Sequence, residues 1–263
     1  MKLVRHAVEK PWGRTDLPAG LGGSSGGKTG EIWFEAQDGT PLPLLVKYIF
    51  TSEKLSVQVH PDDAQARARG LERGKSECWH ILEAAPDAVL GLGFCDPPTR
   101  EGLRAAALDG SIEQALEWRP VKPGESYYVP AGMVHAIGPG LSLIEVQQPA
   151  DVTYRLYDYG RPRELHLDEA VAVARLEAYP DELASPAGGE ESRTLVDAPH
   201  FVLARVGGGG ADPLAGRERF AIPLSGRITA GGDTAAFGDC LFVGAQESVS
   251  ASDGAVFLVA AAA

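Results

Sequence analysis

Residues Gly124-Glu-Ser-Tyr-Tyr-Val-Pro130-Ala-Gly132-Met-Val-His135 fit the pattern G-x5-P-x-G-x2-H and constrain the fold more than any other stretch. Two glycines and a proline at this spacing dictate a strand, a tight turn and a return strand, because few other residues tolerate the dihedrals required. That path turns the histidine towards the inside of a small β-barrel, where it can meet a bound cation. Its partner ligands are to be sought upstream.

Upstream, Leu55-Ser-Val-Gln58-Val-His60-Pro61-Asp62-Asp63 begins as a strand. Side chains alternate with period two, so Ser56, Gln58 and His60 leave one face together. Pro61 ends the pairing, and Asp62 or Asp63 is placed to cap a helical run from Ala64 to Leu71. The chain returns through Gly74-Lys75-Ser76-Glu77-Cys78-Trp79-His80-Ile81. Here Lys75, Glu77 and Trp79 share one face, and Cys78 and His80 the other. With Glu77 inward, His80 points away. Gln58, His60, Glu77 and His135 then form an N2O2 donor set for a divalent cation. Imidazole and carboxylate suit zinc, and a position left open for water or substrate marks a catalytic site.

An excess of acidic residues gives a net charge of −12. A nucleic-acid partner needs a basic face, so that class is set aside. A small anionic substrate requires a local positive pocket. The first residues, Met1 to Glu9, lack the apolar centre of a signal peptide, and no apolar run is long enough to cross a bilayer. Cys78, Cys95 and Cys240 are few, odd in number and far apart, as expected of unbridged thiols in a reducing cytoplasm. Oligomeric state is left open.

Gly22-Gly-Ser-Ser-Gly-Gly27-Lys28-Thr29 formally matches the phosphate loop G-x4-G-K-[ST]. A working loop follows a strand and opens a helix. This one follows turn-like residues and runs on into the strand pattern Gly30-Glu-Ile-Trp-Phe, so it is a decoy. Residues 12–30 read as a surface loop. Strands are expected at Leu42–Phe50, Leu55–Val59, Trp79–Leu82, Ser126–Val129 and Leu141–Val146. Thr99 is placed to cap a helix from Arg100 to Leu108, and Ser111-Ile-Glu-Gln114 reads as a capping box opening a run to Trp118. A further helix is expected from about Asp168 to Glu177. Beyond Ser185 the chain reads as loop, becoming β again from Phe201.

That last segment repeats the signature with its chemistry removed. Gly238-Asp-Cys-Leu-Phe-Val243-Gly-Ala245-Gln-Glu-Ser-Val249 aligns without gaps on Gly124–His135. Pro130 becomes Gly244, Gly132 becomes Gln246, His135 becomes Val249, and further on Glu145 is matched by Val259. So long a period points to duplicated units, the second unable to bind metal.

The segments QVHPDD and GK-x-ECW, the Gly124–His135 run, Ser142-Leu-Ile-Glu145-Val-Gln-Gln-Pro and Thr153-Tyr-Arg155-Leu-Tyr-Asp158 together resemble bacterial type I mannose-6-phosphate isomerases, which are zinc-dependent cupins. The resemblance covers about Gly30 to Leu167, with Lys10-Pro-Trp-Gly13. It implies a mainly β protein of two jelly-roll barrels with helical insertions: a metal-binding cupin at 1–165 with a helical insert near 98–118, a connecting helix and linker at 166–185, and a degenerate cupin at 186–263. It further implies one zinc on Gln58, His60, Glu77 and His135, a sugar phosphate as substrate, and interconversion of mannose 6-phosphate and fructose 6-phosphate. Arg155 falls on the family's active-site arginine, and Ser56, Lys75 and Glu145 on positions that bind substrate or handle protons. Glu145 is the first candidate for the base and Lys75 the alternative. Arg163, His166 and His200 are expected on solvated faces. Little separates Trp33 from Pro41, where relatives carry more residues, which leaves the pocket rim open. The rivals are an isomerase of another sugar, a metal-cupin oxygenase and a sugar-sensing module.

Overall fold

The computed structural model describes residues 1–22, 26–189, 191–207 and 209–263. The chain begins with strands β1 (Val4–Arg14), β2 (Thr29–Glu35), β3 (Leu45–Phe50) and β4 (Val57–Val59), the short helix α1 (Asp63–Arg67), then β5 (Glu77–Ala84) and β6 (Val89–Phe94). Helices α2 (Arg100–Asp109) and α3 (Ile112–Ala115) lead into β7 (Leu116–Pro120), β8 (Ser126–Val129), β9 (His135–Ile137), β10 (Leu141–Gln147) and β11 (Tyr154–Tyr157). Helix α4 (Leu167–Val173) and the two-residue β12 (Ala184–Ser185) lead out of this unit. The remainder is β13 (Arg193–Asp197), β14 (Phe201–Val206), β15 (Arg219–Ser225), β16 (Arg227–Ala230), β17 (Asp233–Ala236), β18 (Leu241–Val243), β19 (Ser250–Ala251) and β20 (Val256–Ala262).

Four antiparallel sheets make two barrels. In the first, a seven-stranded sheet ordered β1-β2-β3-β10-β5-β8-β12 stands against a five-stranded sheet, β11-β4-β9-β6-β7. Ile49, Trp79, Ile81 and Leu143 from one meet Leu90, Leu92 and Ile137 from the other in a shared core. Alternation along β4 then decides the site. Val57 and Val59 pack outward under Leu103 and Ala107 of α2 and Ala170 and Val173 of α4, which turns Gln58 to the barrel interior. The outer face of the larger sheet, with Phe34, Tyr48, Cys78 and Ile144, packs on Leu203, Phe220, Ile222 and Leu258 of the second barrel. Burial on this scale supplies the main favourable term in folding.

The second barrel repeats the first in pairing order. Strands β14-β20-β15-β18 correspond to β3-β10-β5-β8, and β19-β16-β17 to β9-β6-β7. Gly124 and Gly238 both sit at positive φ, 88° and 92°, as the shared turn requires. Among the described residues of the second barrel, no strand corresponds to β4.

Local expectations fared unevenly. Asp62 caps α1 through a reciprocal capping box with Gln65, and Thr99 caps α2 by accepting from the Gly102 amide. Ser111 makes no capping bond and is itself helical, and α3 is a single turn. The residues after it pair with β6 instead, so the ladder overrides the helical reading of Leu116–Trp118. Helix α4 stops at Val173 because the Arg175 amide is taken by the Gly132 carbonyl at 2.8 Å, in the turn that precedes His135. Strand β13 lies where loop was expected. Residues 23–25 of the phosphate-loop match lie outside the described residues. Its end does not open a helix: Thr29 starts β2, and Lys28 pairs with Glu53 at 2.8 Å. All three cysteines are free, with Cys78 and Cys240 buried. Among the described residues, no helix is long and apolar enough to cross a membrane.

His80 points away from the barrel interior and is 3% exposed, its Nδ1 2.9 Å from the Ser126 hydroxyl. Burial, aided by Arg205 and Arg193, lowers its pKa from 6.5 to about 4. A histidine that resists protonation when folded binds fewer protons than the unfolded chain between those values, so stability falls as pH drops below 6.5. The slope is about 1.4 kcal/mol per pH unit. His80→Gln, which keeps a hydrogen-bonding partner for Ser126, is expected to remove that slope between pH 6.5 and 5 in urea unfolding. Parallel curves for the two proteins would remove His80 from the account.

Candidate active site

Three strands bring the proposed ligands together. His60 follows β4 directly, Glu77 opens β5 and His135 opens β9. Gln58 is the cross-strand partner of both His135 and Arg155. The Nε2 atoms of His60 and His135 lie 3.5 and 3.3 Å from opposite oxygens of the Glu77 carboxylate. His60, Glu77 and His135 are all buried, and one donor atom from each falls within 4.8 Å of the others.

The far side of each ring explains its aim. His60 Nδ1 lies 2.7 Å from the Val152 carbonyl, and His135 Nδ1 2.9 Å from the Met133 carbonyl. A carbonyl can only accept, so each Nδ1 donates and each Nε2 presents a lone pair inward. Burial, then the Lys75 charge, lowers the His60 pKa to about 3 against the opposing pull of Glu77. Burial lowers that of His135 as well, so both rings are neutral. His60 Nε2 and Glu77 Oε1 are buried without a hydrogen-bond partner, while Glu77 Oε2 meets Lys75 at 2.9 Å. Unpartnered buried polar atoms are costly, and two such atoms beside the inward lone pair of His135 match what a divalent ion satisfies. The fourth proposed ligand, Gln58, lies with Nε2 3.3 Å from His135 Nε2 and takes a bond from the Ser56 hydroxyl at 3.0 Å.

Glu77 also meets Lys75, whose Nζ is 2.9 Å away. Burial alone would lower the lysine pKa, but Glu77, Glu145 and Glu31 outweigh it and raise the value. That is opposite to the shift towards neutrality that a lysine base requires. Glu145 moves the other way. Burial and the Glu77 charge raise its pKa against Lys47 and Lys75, in the direction a carboxylate base needs at neutral pH. Its oxygens are held by the Trp79 indole N–H at 3.0 Å and by Lys47 at 2.7 Å.

These groups open into a cavity of about 300 Å³. Ser56, Gln58, Lys75, Glu77, Glu145 and Arg155 all line it. So do Lys10, Lys47 and Arg163, giving five cationic side chains in a protein of net charge −12. Four carboxylates, Glu31, Glu77, Glu145 and Asp151, share the lining, so the cavity carries a small excess of positive charge, the sign an anionic substrate demands. Arg155 is fixed by the Glu164 carbonyl at 2.7 Å while its Nε is buried without a partner.

Two expectations are corrected. Arg163 is a wall of this cavity, with a side chain 28% exposed that grips Asp158 at 2.5 Å. His166 is also tied to the site: its Nδ1 accepts the Arg155 amide at 3.2 Å, and its own amide donates to the Arg155 carbonyl. The backbone of Arg155 thus depends on a histidine read as solvated. His200 is half-buried. Lys47 was missed altogether. Its signal was a lone lysine inside the apolar run Leu44-Leu-Val-Lys47-Tyr-Ile-Phe50, and it is 4% exposed.

A jelly-roll barrel with an inward His–Glu–His set that could hold a metal defines the class: a metal-site cupin. No protein-family model matches the chain. It is 40% identical over 164 residues to mannose-6-phosphate isomerase ManA of Bacillus subtilis, covering 57% of this chain and 52% of that protein. It is 38% identical over 172 residues to the mannose-6-phosphate isomerase of Streptococcus mutans, covering 62% and 54%. The chain thus spans about half the length of these curated relatives. The crystal structure of the mannose 6-phosphate isomerase from Bacillus subtilis superposes with a TM-score of 0.79 at 25% identity, covering 99% of this chain and 98% of that one. In sequence over about half their length, and in fold over nearly the whole of one, the chain is similar to mannose-6-phosphate isomerases.

Replacing Glu77 by Gln keeps the shape of the site and removes the charge that His60, His135 and Lys75 share. Metal content, measured by mass spectrometry of the purified protein, is expected to fall from about one equivalent per chain to a small fraction of it. Full retention of metal by Glu77→Gln would contradict the ligand assignment.

Proposed function

We propose that this protein is a zinc-dependent aldose–ketose isomerase acting on mannose 6-phosphate and fructose 6-phosphate. The observation that supports this reading is the buried His60–Glu77–His135 cluster, with Glu77 lining a small cavity that carries five cationic side chains. Gln58, His60, Glu77 and His135 would hold the metal. A divalent ion there supplies Lewis acidity to sugar oxygens and holds them in register.

The chain's own residues account for the remaining requirements. Isomerisation removes the proton on C2 of the open-chain aldose and returns one to C1, while a hydroxyl proton passes from O2 to O1. Glu145, with its raised pKa, is assigned the carbon-bound proton. Trp79 and Lys47 hold its two oxygens, so it works from a fixed position. Lys75, kept as a cation, faces negative charge developing on the enediolate oxygens. Arg155, with Ser56, is assigned to the substrate, where a guanidinium can offer two parallel donors to phosphate or to the oxyanion. Residues 1–165 contain every side chain given a role, and we read 166–185 as linker and 186–263 as a barrel without chemistry. A cytoplasmic location belongs to the same reading.

A coupled assay comparing mannose 6-phosphate, glucose 6-phosphate and free mannose tests it directly. Turnover of mannose 6-phosphate that a chelator abolishes and zinc restores is the expected result. Arg155→Ala should keep metal and fold while lowering kcat/KM by about 100-fold or more. Inactivity towards all three sugars in the zinc-loaded protein, or Arg155→Ala with unchanged kinetics, would contradict it.

A further inference from the structure

In the second barrel the place of Glu77 is taken by an arginine, and two strand registers fix that match independently. Glu77 lies opposite Val129, and Arg219 lies opposite Val243, its counterpart in the repeat. On the other side, Trp79 lies opposite Glu145, and Ala221 opposite Val259, the match for Glu145. Arg219 is 1% exposed and reaches across the barrel end.

Its three contacts fall on the elements that supply ligands in the first barrel. Nε donates to the Asp212 carboxylate at 2.6 Å, and Asp212 lies in the connection from β14 to β15, where the first barrel carries β4 and His60. Nη2 donates to the Glu247 carbonyl at 3.1 Å, on the turn between β18 and β19. Glu247 occupies the position of Met133, whose carbonyl orients the His135 ring. Nη1 donates to the Arg217 carbonyl at 2.9 Å, at the entry to β15 itself. Where His60, Glu77 and His135 draw three elements towards one point, a single guanidinium binds the corresponding three.

We propose that Arg219 is a built-in cation that ties the second barrel shut, in the place that a metal ion holds in the first barrel on the reading above. A planar guanidinium suits this task because its donors leave in fixed directions and it stays charged at any working pH. The acidic side chain that meets it, Asp212, is nearly buried too, so removing the arginine strands a carboxylate with no counter-ion. The second barrel therefore needs no ion, and the loss of Gln58, His60 and His135 equivalents there is matched by a gain.

Hydrogen exchange read by mass spectrometry on the whole metal-loaded chain tests this. Arg219→Gln is expected to speed exchange about tenfold or more in peptides covering 209–218 and 244–249, with metal content and exchange around Glu77 unchanged. Arg219→Lys keeps the charge but loses the fork and should show a smaller increase in the same peptides. Asp212→Asn, which leaves Arg219 in place, is the second variant should Arg219→Gln not fold, and the same two segments should loosen. Chelator added to the wild type should leave those segments protected. Unchanged exchange in Arg219→Gln or Asp212→Asn, or loss of protection there on chelation, would overturn the proposal. If chelation alters nothing around His60 and His135, the metal reading of the first barrel fails while the Arg219 result stands by itself.

Discussion

Glu77 is a fully buried carboxylate, and the first barrel is arranged around the cost of keeping it charged. Taking such a group out of water costs several kcal/mol unless partners restore what solvent supplied. Lys75 offers one contact, and two neutral imidazoles aim their lone pairs at the space beside the two carboxylate oxygens. Neutral rings cannot offset a negative charge. On the proposed reading a cation between them completes the arrangement, and the carbonyls of Val152 and Met133 hold the rings in the orientation it needs. Burial thus brings an acid and two histidines into a set that could hold a metal, rather than a surface cluster.

The charge pattern spreads outward from that point. Lys75, Glu145, Lys47, Glu31 and Lys10 alternate in sign from the barrel centre to its mouth, with Lys47 and Glu145 2.7 Å apart and Lys10 and Glu31 3.4 Å apart. Such alternation keeps each buried charge compensated, and the five cations of the lining exceed its four carboxylates by one. The second barrel contributes to the same wall from a distance. The Leu3 amide donates to the Cys240 carbonyl at 2.9 Å and Lys2 pairs with Asp239 at 2.8 Å. The next strand, β1, carries Lys10 and Trp12 into the cavity. A barrel whose described residues include no metal-ligand cluster thereby anchors one side of the pocket.

Sequence reasoning reached what strand alternation and turn chemistry control. The inward faces of Ser56–His60 and Lys75–Trp79, the outward His80 and the turn before His135 all follow from period two and from glycine and proline positions. What escaped it depends on long-range pairing. The end of α4 is set by a carbonyl in the Gly132 turn, and Leu116–Trp118 becomes strand because β6 is beside it. Arg163 and His166 looked like surface residues because nothing local shows that their loop folds back over β11. Arg219 was invisible for the same reason: only the registers of β15 with β18 and β20 equate it with Glu77.

The most direct measurement is an anomalous difference map collected at the zinc absorption edge from crystals of the purified protein. The account expects one strong peak per chain, at bonding distance from Nε2 of His60, Nε2 of His135 and the Glu77 carboxylate, and no peak near Arg219. A well-ordered His60–Glu77–His135 site without a peak in zinc-replete crystals, or a peak on other residues, would contradict it.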